Sequence, residues 1–325
     1  MKPFRPAPRP AFWSATPPAI FPPLLGLLGL GLAWRRGLAA LGLPGDPAEM
    51  LLGGLTLLAL FCYLAYATKL LRRPSVLIEE MRTLPGRAGL AAMTDSVMLL
   101  ASVALPYGHG LATGVLWLGL GLHGGLALLM VRYFLGAPPP QRRVTPAWHL
   151  TFVGFIIGAL AAVPLGLVLL AQVILIATVL AALAIWAVSL WQFARETVPA
   201  PLRPMLAIHL APACLFTVVA AGLGWATLAA AFGAVAVAVA LSLLAAARWI
   251  TAAGFSPLWG AFTFPLTALA SAGFALGTVG TGEAGRLLGV AALILATGAV
   301  PAIAYRVLQL WAKGQLGPRT ASAVA

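Results

Sequence analysis

One carboxylate, Asp95, lies clearly inside a long apolar stretch of this sequence, "GLAAMTDSVMLLASVAL". Ionisable side chains at membrane depth are energetically costly, and by default they suggest a functional site. Three interpretations of Asp95 are open: a hydrogen bond between helices, a protonated carboxyl group, or a site linked to proton transport. An ionised Asp95 would repel anions, so this residue alone does not predict an anion site.

The stretch "LWGAFTFPLTAL" places Pro265 directly after Phe264 and close to Phe262. Proline removes a backbone hydrogen bond from a helix, and in hydrocarbon the freed carbonyl group has no water to bind. Irregular backbone at this depth persists where it is buried in protein or lines an aqueous cavity. We therefore predict that Pro265 bends a helix beside a conduit, with a simple packing kink as the alternative. His209 lies three residues before Pro212, so it could face the same conduit.

Residue patterns typical of enzymes and metal sites are not found. No His, Cys, Asp or Glu cluster has metal-ligand spacing, and no Ser–His–Asp arrangement or glycine-rich phosphate loop stands out. Cys62 and Cys214 both fall in apolar stretches, which predicts neither a disulfide nor a metal site. The sequence therefore predicts no metal and no cofactor, and an intramembrane enzyme is a weak hypothesis.

The composition of the chain predicts that these residues lie on α-helices that cross a membrane. The chain is 62% hydrophobic and 8% charged, with a mean hydropathy of +1.00, which excludes a water-soluble globule. Continuous runs rich in Leu, Ala and Gly predict α-helices rather than strands. Ten candidate membrane spans follow, at residues 19–35, 49–71, 87–106, 110–135, 146–164, 166–194, 203–223, 225–249, 256–278 and 284–312.

The basic residues then predict the orientation. The net charge of +13 could suggest nucleic acid, but Lys and Arg in membrane proteins gather in cytoplasmic loops. A cytoplasmic N-terminus places 17 of the 20 basic residues on the cytoplasmic side and leaves Arg35, Arg36 and Arg286 on the other. We predict a multi-pass protein of the cell inner (plasma) membrane with both termini cytoplasmic and no nucleic-acid partner.

The ends of the chain are predicted to be tails. Residues 1–18 contain six prolines and three basic residues without the pattern of a signal peptide, which predicts a disordered cytoplasmic tail. Residues 313–325 give the same prediction of a cytoplasmic, mostly unstructured tail. The single domain between them, residues 19–312, carries the ten spans.

Helix-weakening residues recur in four of the five odd-numbered spans. They include Pro22 in "AIFPPLLG", Gly154 in "HLTFVGFIIG" and Pro212 in "IHLAPACL". An aromatic residue precedes two of them: Phe21 lies before Pro22, and Phe152 lies before Gly154. The interval of about 50 to 70 residues suggests a two-helix unit used five times. We predict five helical hairpins, with kinked inner helices around a conduit and straighter helices outside.

The strings "FPPLLGLLGLGLAWR", "YATKLLRRP", "PGRAGLAAM", "TPAWHLTFVGFIIGALAAVPLG" and "AFTFPLTAL" together resemble the tellurite-resistance/dicarboxylate transporter family, which includes bacterial TehA and the plant slow-type anion channels. The resemblance implies quasi-fivefold symmetry around a central pore and a homotrimer with one pore per subunit. It also implies a phenylalanine in the ninth helix that plugs the pore, which here is Phe264. Phe262 lies about 200° around a helix from Phe264, so the two cannot face the same axis.

Two functions follow from this resemblance and from the residues. The leading one is an anion channel or channel-like exporter for small anions or organic acids, linked by the resemblance to tellurite resistance. It is favoured because no Lys or Arg lies deep within a predicted span, which suggests weak binding and passive flow. The alternative is a proton-coupled transporter of C4-dicarboxylates in which Asp95 or His209 carries the proton. Small-residue faces of an outer helix, with Gly119, Gly121, Gly124 and Gly125, fit the trimer.

Overall fold

The computed structural model of the protein describes residues 13–325, and all regular structure in that range is helical. The α-helices are α1 (Phe21–Ala40), α2 (Asp46–Arg72), α3 (Val76–Met81), α4 (Leu84–Ala104), α5 (His109–Gly136), α6 (Ile156–Ala162), α7 (Val168–Phe193), α8 (Leu210–Gly222), α9 (Ala226–Ala245), α10 (Ala247–Ile250), α11 (Gly260–Thr278), α12 (Gly282–Ala312) and α13 (Leu316–Thr320).

Nine helical segments of residues 13–325 are long and apolar enough to cross a membrane, and a shorter apolar segment, His149–Ala162, occupies the place of the fifth predicted span. That segment begins with a π-helical turn, His149–Val153, and bends at Gly154 before α6 starts. The prediction of an all-α polytopic membrane protein is confirmed. The fifth predicted span, residues 146–164, is thus a shorter segment, and the turn around Gly154 divides it into two helical parts.

Burial divides the spans into two sets. In the first, third, seventh and ninth spans, which contain α1, α4, α8 and α11, 67–89% of the most apolar window is buried within the protein. In the even-numbered spans, formed by α2, α5, α7, α9 and α12, only 17–39% of that window is buried. Helices that are apolar all round but exposed need a hydrocarbon solvent. The odd-numbered helices therefore form the interior and the even-numbered ones face lipid.

The inner helices make a closed ring. Helix α1 packs against α4 and α11, α11 packs against α8, and α6 joins α8 to α4. Neighbouring outer helices complete the hairpins, as α12 does with α11 and α9 does with α8. The predicted quasi-fivefold symmetry of this ring stays a prediction.

Four of the inner helices begin with backbone that is not α-helical. Pro18–Ile20, Ala200–His209 and Pro257–Trp259 are 3-10 turns that precede α1, α8 and α11, and the π-turn His149–Val153 precedes α6. The exception is α4, which begins with a side-chain cap in which Thr83 Oγ1 accepts a hydrogen bond from the Gly86 amide at 3.1 Å. These are the four odd-numbered spans that the sequence marked with prolines or glycines.

The two ends of the described chain meet on one side of the molecule, which we call the terminal face; the opposite side is the distal face. The Ala325 amide donates to the Ser14 carbonyl at 2.9 Å. The prediction of an unstructured C-terminal tail is wrong, because Leu316 is buried and α13 packs beside the starts of α1 and α11. For the N-terminal tail, residues 1–12 lie outside the described residues, and residues 13–18 are mostly buried rather than disordered.

A buried ion pair joins both chain ends to the helices. Lys69 Nζ lies 2.6 Å from Glu80 Oε1, and both side chains are fully buried. Lys69 also donates to the Thr16 carbonyl at 2.9 Å, while Ser322 Oγ and the Ala323 amide donate to Glu80 Oε1 at 2.7 and 3.2 Å. The sequence did not predict these contacts, because Thr16, Ser322 and Ala323 lie far from Lys69 and Glu80 in the chain.

Candidate anion pathway

Three cavities follow one another along the axis of the inner ring, and each is lined by residues of all five odd-numbered spans. The terminal cavity, of about 40 Å³, lies among the starts of these spans. The middle cavity, of about 20 Å³, lies among their central turns, and the distal vestibule, of about 600 Å³, lies among their ends. A cavity needs about 10–15 Å³ to hold one water molecule. The terminal and middle cavities, which are the two smaller ones, therefore hold only a few water-sized particles.

Phe264 separates the terminal cavity from the middle cavity, and among the described residues it is the one that lines both. Its side chain is 7% exposed. A Cβ atom added at Gly29 of α1 would overlap Thr267 Oγ1 and would lie 3.0 Å from the Phe264 ring. A glycine at position 29 thus leaves the space that the ring and Thr267 occupy. The arrangement places an apolar ring between the terminal and middle cavities.

Close packing between α1 and α11 fixes the position of Phe264. A Cβ at Gly26 would overlap the Thr263 side chain, so the two helices approach closely at this level. Thr263 Oγ1 donates to the Pro22 carbonyl at 3.1 Å or to the Gly260 carbonyl at 2.7 Å, and Thr267 Oγ1 donates to the Phe264 carbonyl at 2.8 Å. Threonine hydroxyls thus satisfy carbonyl groups near the proline-interrupted turns.

Pro22 and Pro265 also line the terminal cavity. Pro265 is inside α11, where its ring nitrogen cannot donate to the preceding turn. Pro212 has a different position, in the first turn of α8, where amide groups have no helical partner in any case. Pro212 is buried and is not among the residues that line the three axial cavities.

The other aromatic candidates pack away from the axis. Phe262 contacts Trp259 edge-to-face, with ring centroids 5.6 Å apart. Phe21 is fully buried and lies 5.7 Å from the rings of both Tyr63 and Tyr66. None of these rings is among the residues that line the three axial cavities.

Phe152 and Gly154 belong to the irregular start of the fifth span. The Phe152 ring packs on Trp148 at 5.2 Å between centroids. Gly154 lies against Asp95, since a Cβ atom there would overlap the Asp95 carboxylate. Neither residue lines the three axial cavities, although Leu150 of the same π-turn lines the terminal cavity.

His209 is paired with His149 rather than placed on the axis. His149 Nε2 and His209 Nδ1 are 3.0 Å apart, and the two rings are nearly perpendicular. His209 lines two lateral cavities, one of them beside the indole of Trp186 and one bordered by Glu196. The structure therefore brings the two histidines together and leaves them outside the axial cavities.

Asp95 is fully buried between α4, α5 and the Gly154 turn. His123 Nδ1 lies 3.4 Å from Asp95 Oδ1 and 2.7 Å from Thr94 Oγ1. Among the described residues, neither Asp95 oxygen has a hydrogen bond of good geometry. Asp95 does not line the axial cavities. Asp95 thus lies beside His123 and outside the axial cavities, and its role stays a prediction.

Sequence reasoning missed Arg36, which lines both the middle cavity and the distal vestibule. Its neighbour Arg35 also lines the vestibule, but the Arg35 guanidinium already has protein partners. It donates two hydrogen bonds to Glu49, at 2.6 and 2.7 Å, and two to the carbonyls of Ser102 and Val103. The adjacent pair of arginines in "LAWRRG" is the available signal. By itself that pair predicts only charge on the distal face.

Residues 13–325 contain no group of three or more His, Cys, Asp or Glu side chains arranged to hold a metal ion. Cys62 and Cys214 are both buried and free. The three axial cavities have mostly apolar walls, with the Phe264 ring between two of them and Arg36 on the distal side. Such an arrangement can pass or block a small ion, and the polar side chains of the described residues that line the middle cavity are Arg36, Thr267 and Ser271.

Ten apolar helical segments, with a ring of buried helices around stacked axial cavities, define the described part of the chain as a multi-pass membrane protein of the channel or transporter class. Residues 15–308 match the voltage-dependent anion channel family, and the chain belongs to this family. The resemblance found in the sequence is thereby confirmed, and the family supports an anion channel or transporter. No curated protein is significantly similar to this chain.

Proposed function

We propose that this protein is an anion channel whose pore runs through the three axial cavities and is closed by the Phe264 side chain. The observation that carries the proposal is the position of Phe264 as the residue shared by the terminal and middle cavities. The walls on both sides of the ring are mostly apolar, and such a constriction excludes ions by steric block and by dewetting. Movement of this side chain would join the terminal cavity to the middle cavity, which shares Leu32, Arg36, Leu160 and Val218 with the vestibule.

The charges support passive flow of anions. No carboxylate is among the residues that line the three axial cavities, whereas Arg35 and Arg36 line the vestibule. A carrier of dianions would be expected to grip its substrate near the membrane midplane with a cation or helix N-termini. In the part of the chain that the structure describes, no Lys or Arg lines the terminal cavity, and Arg36 reaches the path from the distal side, where it borders the vestibule and the middle cavity.

We further propose an orientation for the protein in the membrane. We place the terminal face in the cytoplasm of the cell that makes the protein and the membrane as its inner (plasma) membrane. Support comes from the excess of Lys and Arg in the segments that connect spans on that side.

Purified protein in planar bilayers tests channel against coupled transporter. A channel's reversal potential should follow the Nernst potential of the permeant anion and stay unchanged when a pH gradient is imposed. Chloride, nitrate, tellurite and a C4-dicarboxylate should each be tried, because the family resemblance names the last two.

Asp95→Asn should keep the conductance, since asparagine retains much of the hydrogen-bonding capacity of the buried carboxyl group. A reversal potential that shifts with pH in the wild type and not in Asp95→Asn would establish proton coupling instead.

We also propose that the protein is a homotrimer. On α5, Gly121, Gly124 and Gly125 have no neighbour within 4 Å of an added Cβ, so this surface is free to approach another subunit. Gly119 does not contribute as expected, since a Cβ there would lie 2.7 Å from the Met98 side chain of α4 in the same protomer. Native mass spectrometry in mild detergent should show trimers. Only monomers across several detergents would contradict this assembly.

A further inference from the structure

The guanidinium group of Arg36 is a cation without a partner in the described part of the chain. Within residues 13–325 it has no hydrogen bond and no ion pair, although its neighbour Arg35 is fully engaged by Glu49 and two carbonyl groups. An arginine that lies partly inside a protein usually finds a carboxylate, because an uncompensated charge in a low-dielectric region is costly. Arg36 instead borders the middle cavity and the vestibule.

A second residue of the vestibule wall carries a buried polar group. Ser102 is 4% exposed, and its hydroxyl has no hydrogen-bond partner among the described residues. Buried hydroxyl groups are normally hydrogen-bonded, so an unsatisfied one indicates a missing ligand or water. Ser271 adds a further hydroxyl to the wall of the middle cavity. Arg36 and Ser102 offer hydrogen-bond donors, and no carboxylate of the described residues borders either space.

We propose that Arg36 and the Ser102 hydroxyl form a binding site for a small inorganic anion at the distal side of the Phe264 constriction. The guanidinium supplies the charge, and its N–H groups together with the serine O–H supply hydrogen bonds to the ion. The middle cavity, at about 20 Å³, admits a single particle of roughly the size of water. This space excludes a C4-dicarboxylate, so the anion at the Arg36 end of the site is a small one such as chloride. The site rests on the proposed channel function and deepens it, because it would raise the anion concentration beside the gate.

The binding test uses the wild-type protein in detergent and does not depend on ion flow. Thermal unfolding is followed as chloride replaces gluconate at constant ionic strength, since a ligand that binds the folded state raises its melting temperature. Chloride should raise the melting temperature of the wild type and of Arg286→Gln more than that of Arg36→Gln. Arg286 is the matched control, because it is an exposed distal-face arginine paired with Glu283 and outside the three axial cavities.

The conduction test uses Phe264→Ala as the open background in bilayers. Adding Arg36→Gln should raise the half-saturating chloride concentration about tenfold, as expected for the loss of one direct charge contact, and should lower the chloride-to-sodium permeability ratio. Arg36→Lys should retain most of the effect of the native residue. In Arg36→Cys, a reagent that adds an ammonium group to the thiol from the distal side should restore the selectivity, whereas one that adds a sulfonate should not.

The results separate the two proposals. If Phe264→Ala carries no current but chloride still stabilises the wild type more than Arg36→Gln, the gate proposal fails and the anion site stands. If Phe264→Ala conducts and Arg36→Gln behaves as Arg286→Gln does in both tests, the gate stands and the Arg36 site is overturned. A Ser102→Ala variant that loses part of the chloride stabilisation would support the site, and one indistinguishable from the wild type would remove Ser102 from it.

Discussion

Phe264→Ala should convert a closed protein into a conducting one, with an anion current at least about tenfold above that of the wild type, which corresponds to a barrier lower by about 1.4 kcal/mol. The physical reason is that the ring forms the partition between the terminal and middle cavities. Removing it joins the two spaces into one. The measurement is chloride current in planar bilayers, normalised to the amount of reconstituted protein.

The opposing expectation treats Phe264 as an ordinary core residue. A Phe→Ala change in a close-packed core typically costs about 3–5 kcal/mol, which would appear as low yield and a small or unchanged current. We expect a smaller loss, of about 1–3 kcal/mol, because cavities border the ring on both sides. The two interpretations therefore differ in the sign of the effect on current.

Two further variants serve as controls. Phe262→Ala removes a ring that packs on Trp259 outside the axial cavities, so its current should match that of the wild type. Phe216→Ala removes a fully buried ring that contacts Trp186 and Phe232, so it should reduce stability without opening the pore. A larger current from Phe262→Ala than from Phe264→Ala would show that the gate has been assigned to the wrong phenylalanine.

The general architecture could be predicted because it depends on features that are local in the sequence. Apolar run length sets the number of spans, and helix-weakening residues such as Pro22 and Pro265 mark the helices that are irregular. A kinked helix facing lipid would expose carbonyl groups to hydrocarbon, so these helices had to lie inside. The burial of the odd-numbered helices agrees with that argument.

The same reasoning could not decide which side chains of an inner helix reach the axis. Nearly every position in these helices is apolar, so periodicity does not distinguish a cavity wall from a helix contact. Phe21 and His209 both lie beside a break, yet one packs among tyrosines and the other pairs with His149. Arg36 escapes prediction for the opposite reason, because a basic residue near a span end has an ordinary explanation as a loop charge.

The tail contacts were beyond local reasoning altogether. Ser322 and Glu80 are separated by 242 residues in sequence but are joined by a hydrogen bond of 2.7 Å. A polar C-terminal segment normally predicts disorder. Here the buried ion pair of Lys69 and Glu80 provides hydrogen-bond partners for the Ser322 hydroxyl and the Ala323 amide of that segment.

Glu80→Ala should therefore destabilise the protein far more than the loss of an exposed charge does. It leaves the Lys69 ammonium fully buried without its partner, and breaking a buried pair in this way typically costs about 3–5 kcal/mol. It also removes the acceptor for Ser322 Oγ and the Ala323 amide. We expect a lower melting temperature in detergent, together with faster proteolysis of the segment after Lys313, because α13 and the residues beyond it lose their anchor.

The controls separate the buried pair from charge in general. Glu196→Gln breaks an exposed pair with Arg143 and should change the unfolding free energy by no more than about 1 kcal/mol. The double variant Lys69→Met, Glu80→Leu removes both charges and should recover much of the stability that Glu80→Ala loses, since an apolar pair is often neutral in place of a buried ion pair. Proteolysis of the tail should nevertheless stay fast in the double variant, because the carboxylate that holds Ser322 is still missing. If Glu80→Ala melts at the wild-type temperature with its tail still protected, the pair does not hold the chain ends together.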